Sequence, residues 1–348
     1  MIINADCLDY MRTMQDNSID AVICDPPYGL GFMGQKWDAG LPMQEIWKEA
    51  LRIAKPGTHL LAFGGDRTHH HLMVALENAG WEIRTCLYWC FASGFPKSHN
   101  FGKKLGSEWA GYGTALKPAA EIIVMAMKPL DGTFAQNAEK WGVAGINIDD
   151  SRIGSHDFTQ DEWSKKGMSR PTRSTFGKHK PSDSKLPSGR WPANLILDEV
   201  AGEMLDQQSG TLKSGAMTST RNVSGSFSAN AKESTAKGFG DSGGASRFFF
   251  CAKASSSERN EGCESNGHPC VKPISLMTYL IKLVMPPKGG ILLDPFCGSG
   301  TTIAAATRLG YEAIGIEKEA EYCEIANARV AHAMQKIEEE NRQLSFGF

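Results

Sequence analysis

Ile291-Leu292-Leu293-Asp294-Pro295-Phe296-Cys297-Gly298-Ser299-Gly300-Thr301 is an apolar run that ends on an acid, turns through two glycines and meets small residues that continue to Leu309. The pattern predicts a buried strand over Gly290 to Asp294, a tight glycine turn, and a helix from Thr301 that stops at Gly310. Ala313-Ile314-Gly315-Ile316-Glu317 reads as a second strand, followed by a long terminal helix from about Glu319 to Arg342. Strand, helix, strand in this order is a βαβ unit, which places the two strands parallel in one sheet.

The same rhythm occupies the start of the chain. Ala21-Val22-Ile23-Cys24 is a short strand ending at Asp25, Met43 to Ala54 a helix closed by Lys55-Pro56-Gly57, and Thr58 to Phe63 the next strand. Asp66 to Asn78 is helical, Trp81 to Phe91 and Glu121 to Met127 are strand-like, and Ile274 to Met285 is a helix ended by Pro286-Pro287. Within that last helix Met277, Leu280, Ile281 and Val284 share the core face. The fold class expected is α/β, a doubly wound, mostly parallel sheet with helices on both faces. Between about 130 and 250 the rhythm fails and glycine, serine, threonine and lysine dominate, with apolar islands at Gly145 to Ile148 and Trp191 to Leu197. A loop of that length is unusual inside a compact domain. The expected division is therefore 1–130 as one half of a core, 131–245 as an inserted region with mobile stretches around 205 to 245, and 246–348 as the other half.

The composition limits the classes open to this chain. Its 348 residues suffice for a large core, and no run is long and apolar enough to span a membrane. The N-terminus, Met1-Ile2-Ile3-Asn4-Ala5-Asp6, carries neither a basic segment nor a long apolar one, so a cytoplasmic location is expected. Nine cysteines, an odd number with no Cys-x-x-Cys pair, read as free thiols. The formal net charge of −2 hides a basic segment: between 161 and 190, eight Lys and Arg face three acids. Such a segment suits phosphates, and equally a solvated loop.

The two chemical motifs lie at opposite ends. A glycine turn after a strand lets backbone approach a ligand, and an acid at the tip of the next strand, here Glu317, can bond both hydroxyls of a ribose. The turn Gly298-Ser299-Gly300 lacks both the Gly-x-Gly-x-x-Gly spacing and a Gly-Lys-Ser/Thr phosphate loop. Asp25-Pro26-Pro27-Tyr28 supplies something different. The exocyclic amine of a nucleobase is a poor nucleophile because its lone pair is delocalised into the ring. The Asp25 carboxylate and Pro26 carbonyl can accept its hydrogens, the prolines stiffen the turn, and Tyr28 offers a stacking face.

With these residues in place, the sequence resembles the amino-methyltransferases of DNA that use S-adenosylmethionine, in the permuted arrangement where the tetrad precedes the cofactor loop. The resemblance is to a phage- or prophage-like adenine-N6 methylase and implies a Rossmann-like methyltransferase core. It implies Asp25, Pro26, Pro27 and Tyr28 as catalytic residues, and a cofactor site of Asp294, Phe296, Gly298, Ser299, Gly300, Thr301 and Glu317. Asn4 to Met11 looks like the family's N-terminal segment, which implies Asp6, with Cys7 beside it, at the cofactor adenine. His268-Pro269-Cys270-Val271-Lys272-Pro273 is similar to the family's His-Pro-Thr-x-Lys-Pro element at the methionine end, which implies Lys272, with Cys270 in place of the usual threonine. Gly29 to Asp38, Ser93 to Ser98, Gly189 to Asn194 and Arg247 to Lys253 extend the likeness.

The resemblance further implies that the middle region reads the target and that double-stranded DNA is the partner, its target base flipped out. It leaves room for a homodimer and for a partner endonuclease of a restriction-modification pair. Lys97, Lys103 and Lys104, and Lys165, Lys166, Arg170 and Arg173 of the basic segment, are the candidate DNA contacts. An aspartate at the head of the tetrad is, in that family, typical of adenine N6, whereas permuted N4-cytosine enzymes more often begin with serine. Hydrogen-bond chemistry alone leaves N4-cytosine open. A methyltransferase of RNA or protein would generally place the cofactor loop first, and a non-catalytic DNA-binding scaffold would be expected to have lost a motif. No metal is expected: His69-His70-His71 point around a helix, and Cys251, Cys263, His268 and Cys270 lack zinc spacing.

Overall fold

A computed structural model describes residues 1–31, 38, 40–154, 189–213, 241–253 and 258–345. The strands are β1 (Ile2–Asn4), β2 (Ile19–Cys24), β3 (Ala54–Gly64), β4 (Glu82–Cys90), β5 (Ala120–Met127), β6 (Leu195–Asp198), β7 (Leu212–Lys213), β8 (Ser242–Gly243), β9 (Phe250–Ala252), β10 (Ile291–Asp294) and β11 (Glu312–Glu317). The helices are α1 (Cys7–Thr13), α2 (Gln44–Ile53), α3 (His69–Ala79), α4 (Gly102–Leu105), α5 (Phe134–Trp141), α6 (Glu199–Ser209), α7 (Ile274–Val284), α8 (Thr301–Arg308) and α9 (Ala320–Ser345). Nine strands form one sheet in the order β1-β11-β10-β2-β3-β5-β4-β6-β9, and only β5 runs against its neighbours. The α/β, mostly parallel architecture is the one the sequence predicts.

Alternation along the central strands explains why both faces are covered. Ala21 and Ile23, Leu61 and Phe63, and Ile123 and Met125 face one core with the nearly all-buried helix α7. Val22 and Cys24, Leu60 and Ala62, and Val124 and Ala126 face the other, with Trp47 and Ile53 of α2 and Leu72 and Leu76 of α3. Met277, Leu280, Ile281 and Val284 are buried as expected. All nine cysteines are free. Strand β3 begins earlier than predicted, at Ala54, because pairing with β2 skips from Ile19↔Ala54 to Ala21↔His59. Pro56 and Gly57, with φ of 84° at Gly57, lie inside that irregularity, where a missing N–H does no harm.

The weakly patterned middle is not wholly outside the sheet. Its apolar island becomes β6, parallel to both β4 and β9, and Asp198 caps α6 by accepting from Ala201 N at 2.6 Å. Arg190, counted among the basic cluster, pairs inward with Asp241, as does Arg247, and both guanidiniums lie over the Phe248 ring. The stretches Gly189 to Asn194 and Arg247 to Lys253 thus meet at one knot. Of the segment expected to be mobile, 205–209 belongs to α6, and 214–240 lies outside the described residues. No helix among the described residues is long and apolar enough to cross a membrane.

The sheet reverses its winding at β10 and β2. From β10 the chain crosses through α8 to β11 on one side; from β2 it crosses through α2 to β3 on the other. A crevice opens at the carboxyl ends of strands where winding reverses in this way. The junction is clamped at its other end by Asp20, 5% exposed, whose carboxylate accepts from Ile291 N at 2.8 Å and from Lys55 Nζ at 2.5 Å. Removing that carboxylate strands a buried N–H and an ammonium. Asp20→Ala is therefore expected to lose roughly 2–3 kcal/mol in urea denaturation, and Asp20→Asn less, because its single amide oxygen can still accept the Ile291 N–H while the half-buried Lys55 ammonium turns to water.

Candidate active site

The predicted motifs meet at the winding reversal, around a cavity of about 700 Å³. Asp25 follows β2, Asp294 ends β10 and Glu317 ends β11, so three carboxylates stand at the tips of neighbouring parallel strands. Asp6, Cys7, Pro26, Pro27, Tyr28, Lys97, Lys272, Phe296, Gly298, Ser299 and Thr301 also line the cavity. Gly300 does not. It sits behind the lining with φ of 79°, and a Cβ there would meet Ala326 of α9 at 2.8 Å. Lys103 and Lys104 are exposed on α4, away from the lining, and Lys165, Lys166, Arg170 and Arg173 lie outside the described residues.

The tetrad is held from several sides. Tyr28 Oη donates to Asp25 Oδ1 at 2.8 Å, and Lys272 Nζ donates to Asp25 Oδ2 at 2.7 Å while lying 3.3 Å from Glu121 Oε2. Burial would lower the Lys272 ammonium, but Asp25 and Glu121 outweigh it and hold it above its usual range. Burial, then the adjacent Asp25 charge, keeps the Tyr28 phenol protonated well beyond its ordinary value. Asp38, 2% exposed, secures the turn that follows: its carboxylate accepts from Tyr28 N at 2.7 Å, Gly29 N at 2.9 Å and Leu30 N at 3.2 Å.

The glycine loop is braced from beneath. Glu317 Oε2 accepts from Gly298 N at 2.8 Å and its Oε1 from Glu319 N at 2.8 Å. Gly298, φ 53°, packs on His268, whose ring stands edge-on to that of Tyr322 with centroids 4.5 Å apart. Arg329 of α9 is 2% exposed and donates to Ser299 O at 2.9 Å, Ser299 Oγ at 3.0 Å and Thr301 Oγ1 at 2.8 Å. Asp6 caps α1, accepting from Leu8 N at 3.0 Å, and burial with the Asp6 charge pushes the Cys7 thiol up to about 12.

Sequence reading missed Glu121, Asp38 and Arg329 as site residues. Arg329 carries a signal, since Ala326, Val330 and Ala333 are buried around it and an arginine inside such a helical stripe must have acceptors. Glu121 heads an apolar strand and Asp38 follows the tetrad by a loop; neither position has a period to betray it. Lys272, expected at the methionine end of the cofactor, lines the cavity with its ammonium on Asp25. Among the described residues no group of three or more metal-ligating side chains gathers.

Eight carboxylates line the cavity against three lysines. The excess is felt most at Asp294: burial first, then the charges of Asp25 and Glu317, raise it from 3.8 to about 7, against the bonds from Thr302 and Phe296 N. A carboxyl raised on folding stabilises the protein while protonated; the contribution is whole below the unfolded value and disappears as pH climbs through the folded one. Asp294→Asn stays neutral throughout. In ligand-free protein, wild-type stability toward urea should fall relative to Asp294→Asn between about pH 4 and pH 7, and parallel pH profiles would contradict the shift.

A family model described as DNA methylase, of the N6 and N4 methyltransferases, matches residues 19–328. Type II methyltransferase M2.DpnII of Streptococcus pneumoniae is 48% identical over 63 residues, 18% of this chain and 23% of that protein. Type II methyltransferase M.ScaI of Streptomyces caespitosus is 34% identical over 85 residues, 24% of this chain and 28% of that one. The matched segments thus span under a third of either relative's length. Among solved structures, PvuII DNA methyltransferase (cytosine-N4-specific) aligns over 94% of this chain and 85% of its own, with 14% identity and a TM-score of 0.48. M1.HpyAVI in complex with SAM aligns over 95% and 98%, with 17% identity and a TM-score of 0.43. The match of the family model over nearly the whole chain is what decides: the chain belongs to the N6/N4 DNA methylase family.

Proposed function

We propose that this protein transfers a methyl group from S-adenosylmethionine to the exocyclic amine of a flipped base in double-stranded DNA, and that the base is adenine, methylated at N6. The observation that carries the reading is the Asp25 carboxylate and Tyr28 ring facing one cavity with Asp294, the glycine loop and Glu317. The permuted order of the motifs favours DNA over RNA or protein, and the aspartate at the head of the tetrad favours adenine over cytosine. We assign target reading to 131–245 outside β6, which joins the sheet, and α6, which packs beside it.

The residues fit the cofactor. Each Glu317 oxygen has one backbone donor and keeps a lone pair for a ribose hydroxyl. The acidic lining suits a ligand bearing positive charge. When bound, S-adenosylmethionine supplies an electrophilic methyl on a sulfonium; Asp6 and Glu317 would hold its nucleoside end, and Asp294 and the glycine loop its centre.

The protein's own contribution is to make the amine reactive. Asp25 has one donor on each oxygen, so it keeps acceptor capacity for an amine N–H, while the Pro26 carbonyl offers a second acceptor. Accepting those hydrogens draws the nitrogen away from conjugation and localises its lone pair. Lys272 and Tyr28 fix the carboxylate before the base arrives, so little reorganisation remains at the reacting centre. Tyr28 presents its ring for stacking. The neutral base can enter this acidic cavity; the phosphates stay outside it.

Incubation with labelled S-adenosylmethionine and DNA, RNA or protein tests the reading. Label should enter double-stranded DNA, and Asp25→Ala should reduce the rate by at least about a hundredfold. Transfer to RNA or protein alone, or undiminished labelling by Asp25→Ala, would overturn it. Sequencing modified bases in DNA from cells making the protein should find N6-methyladenine in a fixed context; N4-methylcytosine there would correct the base.

A further inference from the structure

Between the antiparallel strands β4 and β5 the chain leaves the sheet at Phe91 and returns at Ala119, and this excursion is a built finger. At its root Phe91 N donates to Ala119 O at 3.0 Å, and Gly94 packs so closely that a Cβ there would collide with the Pro118 carbonyl. Further out, Thr114 N donates to Ser98 Oγ at 2.8 Å and His99 N to Thr114 Oγ1 at 3.0 Å. The tip is closed by edge-to-face contacts of Trp109 with Phe101 and Tyr112.

Its surface is unusual in two ways. Phe95, 81% exposed, and Leu116, 92% exposed, are the two most exposed large apolar side chains among the described residues. They lie on opposite limbs, each between the Gly94–Pro118 contact and the Ser98–Thr114 bond. The finger also carries Lys97, Lys103, Lys104 and Lys117 against a single acid, Glu108. Its root forms part of the cavity wall, through Phe91, Lys97 and Pro118. An apolar pair held at a cavity mouth, with lysines beyond it, matches a duplex in both parts: phosphates outside, stacked bases within.

We propose that this finger enters the duplex at the target step, Phe95 and Leu116 filling the gap that the flipped base leaves while Lys103 and Lys104 meet the phosphates on either side. The inference rests on the proposed DNA methylation. A base leaving the stack loses stacking and pairing, and an apolar wedge in its place keeps the helix from closing behind it. Both side chains sit on limbs braced on either side of them, so they are held in place before DNA arrives.

The test uses the full chain, S-adenosylmethionine, and two duplexes carrying the methylated site: one fully paired, one with an abasic residue opposite the target. On paired DNA, Phe95→Ala/Leu116→Ala should lower methylation kcat/KM by about ten- to a hundredfold. It should also suppress the fluorescence rise of 2-aminopurine at the target position. On the abasic duplex, already open, most of the loss should disappear, and Phe95→Trp should retain activity on both. Cofactor affinity and thermal melting should match wild type because both side chains are exposed. Wild-type rates of the double variant on paired DNA would overturn the wedge and leave the apolar pair to a protein partner; equal losses on both duplexes would overturn it in favour of a structural role. If wild type itself labels neither duplex, the methyltransferase reading fails first.

Discussion

The parallel pairing of Ile291–Asp294 with Ile19–Cys24 is the constraint on which the site depends. These strands come from opposite ends of the chain, and no short connection holds them together. The entropy of closing so long a loop grows only slowly with length, so a buried core can supply what is needed. Leu292 and Leu293 are matched to Ala21 and Val22, all fully buried, and Asp20 fixes the register from the far end. A slip of one residue would turn Asp25 or Asp294 to the wrong face. Because spatial order in a parallel sheet is independent of chain order, the tetrad can precede the glycine loop in sequence and still face it.

Where a segment answers to a single period, its sequence announced it. The strands before Asp25 and at Asp294 and Glu317 and the helix Ile274–Val284 appear within a residue or two of their predicted bounds, because burial leaves mostly apolar residues there. Ile2–Asn4, Leu195–Asp198 and Phe250–Ala252 are edge or near-edge strands of three or four residues, too short for a period to register. Their neighbours in space, not their own composition, make them strands. The same distinction runs through the site. The motifs themselves were legible, and Arg329 was betrayed only by its place in a buried helical stripe, but Asp38 and Glu121 act on a nearby loop's backbone and on a distant charge, contacts that leave no local pattern.

Charge is divided between the inside and the outside of the site. The cavity is acidic, lined by Asp6, Asp25, Glu121, Asp294 and Glu317, whereas the finger beside its mouth is basic. A uniformly basic site would attract a phosphate backbone into the cavity; a uniformly acidic surface would repel the polymer altogether. With lysines at the rim and carboxylates inside, only a neutral portion of a polyanion enters favourably. A net charge of −2 therefore says little about a partner when the two signs are separated in this way.

Lys272 lies among the carboxylates of the cavity and shows why so costly an arrangement is kept. An ammonium and two carboxylates in a mostly buried position add little to stability, since desolvation offsets much of their attraction. What the cluster supplies is direction. Without Lys272, Asp25 and Glu121 would repel each other across the cavity and Asp25 could rotate; with it, one oxygen is fixed by the ammonium and the other by Tyr28 Oη. The Lys272 ammonium also lies 4.8 Å from the centre of the Phe63 ring, which holds the charge on its apolar side. The carboxylate is thereby aimed before any ligand is present, at a place set by β2, while its counter-charge arrives from the other half of the chain.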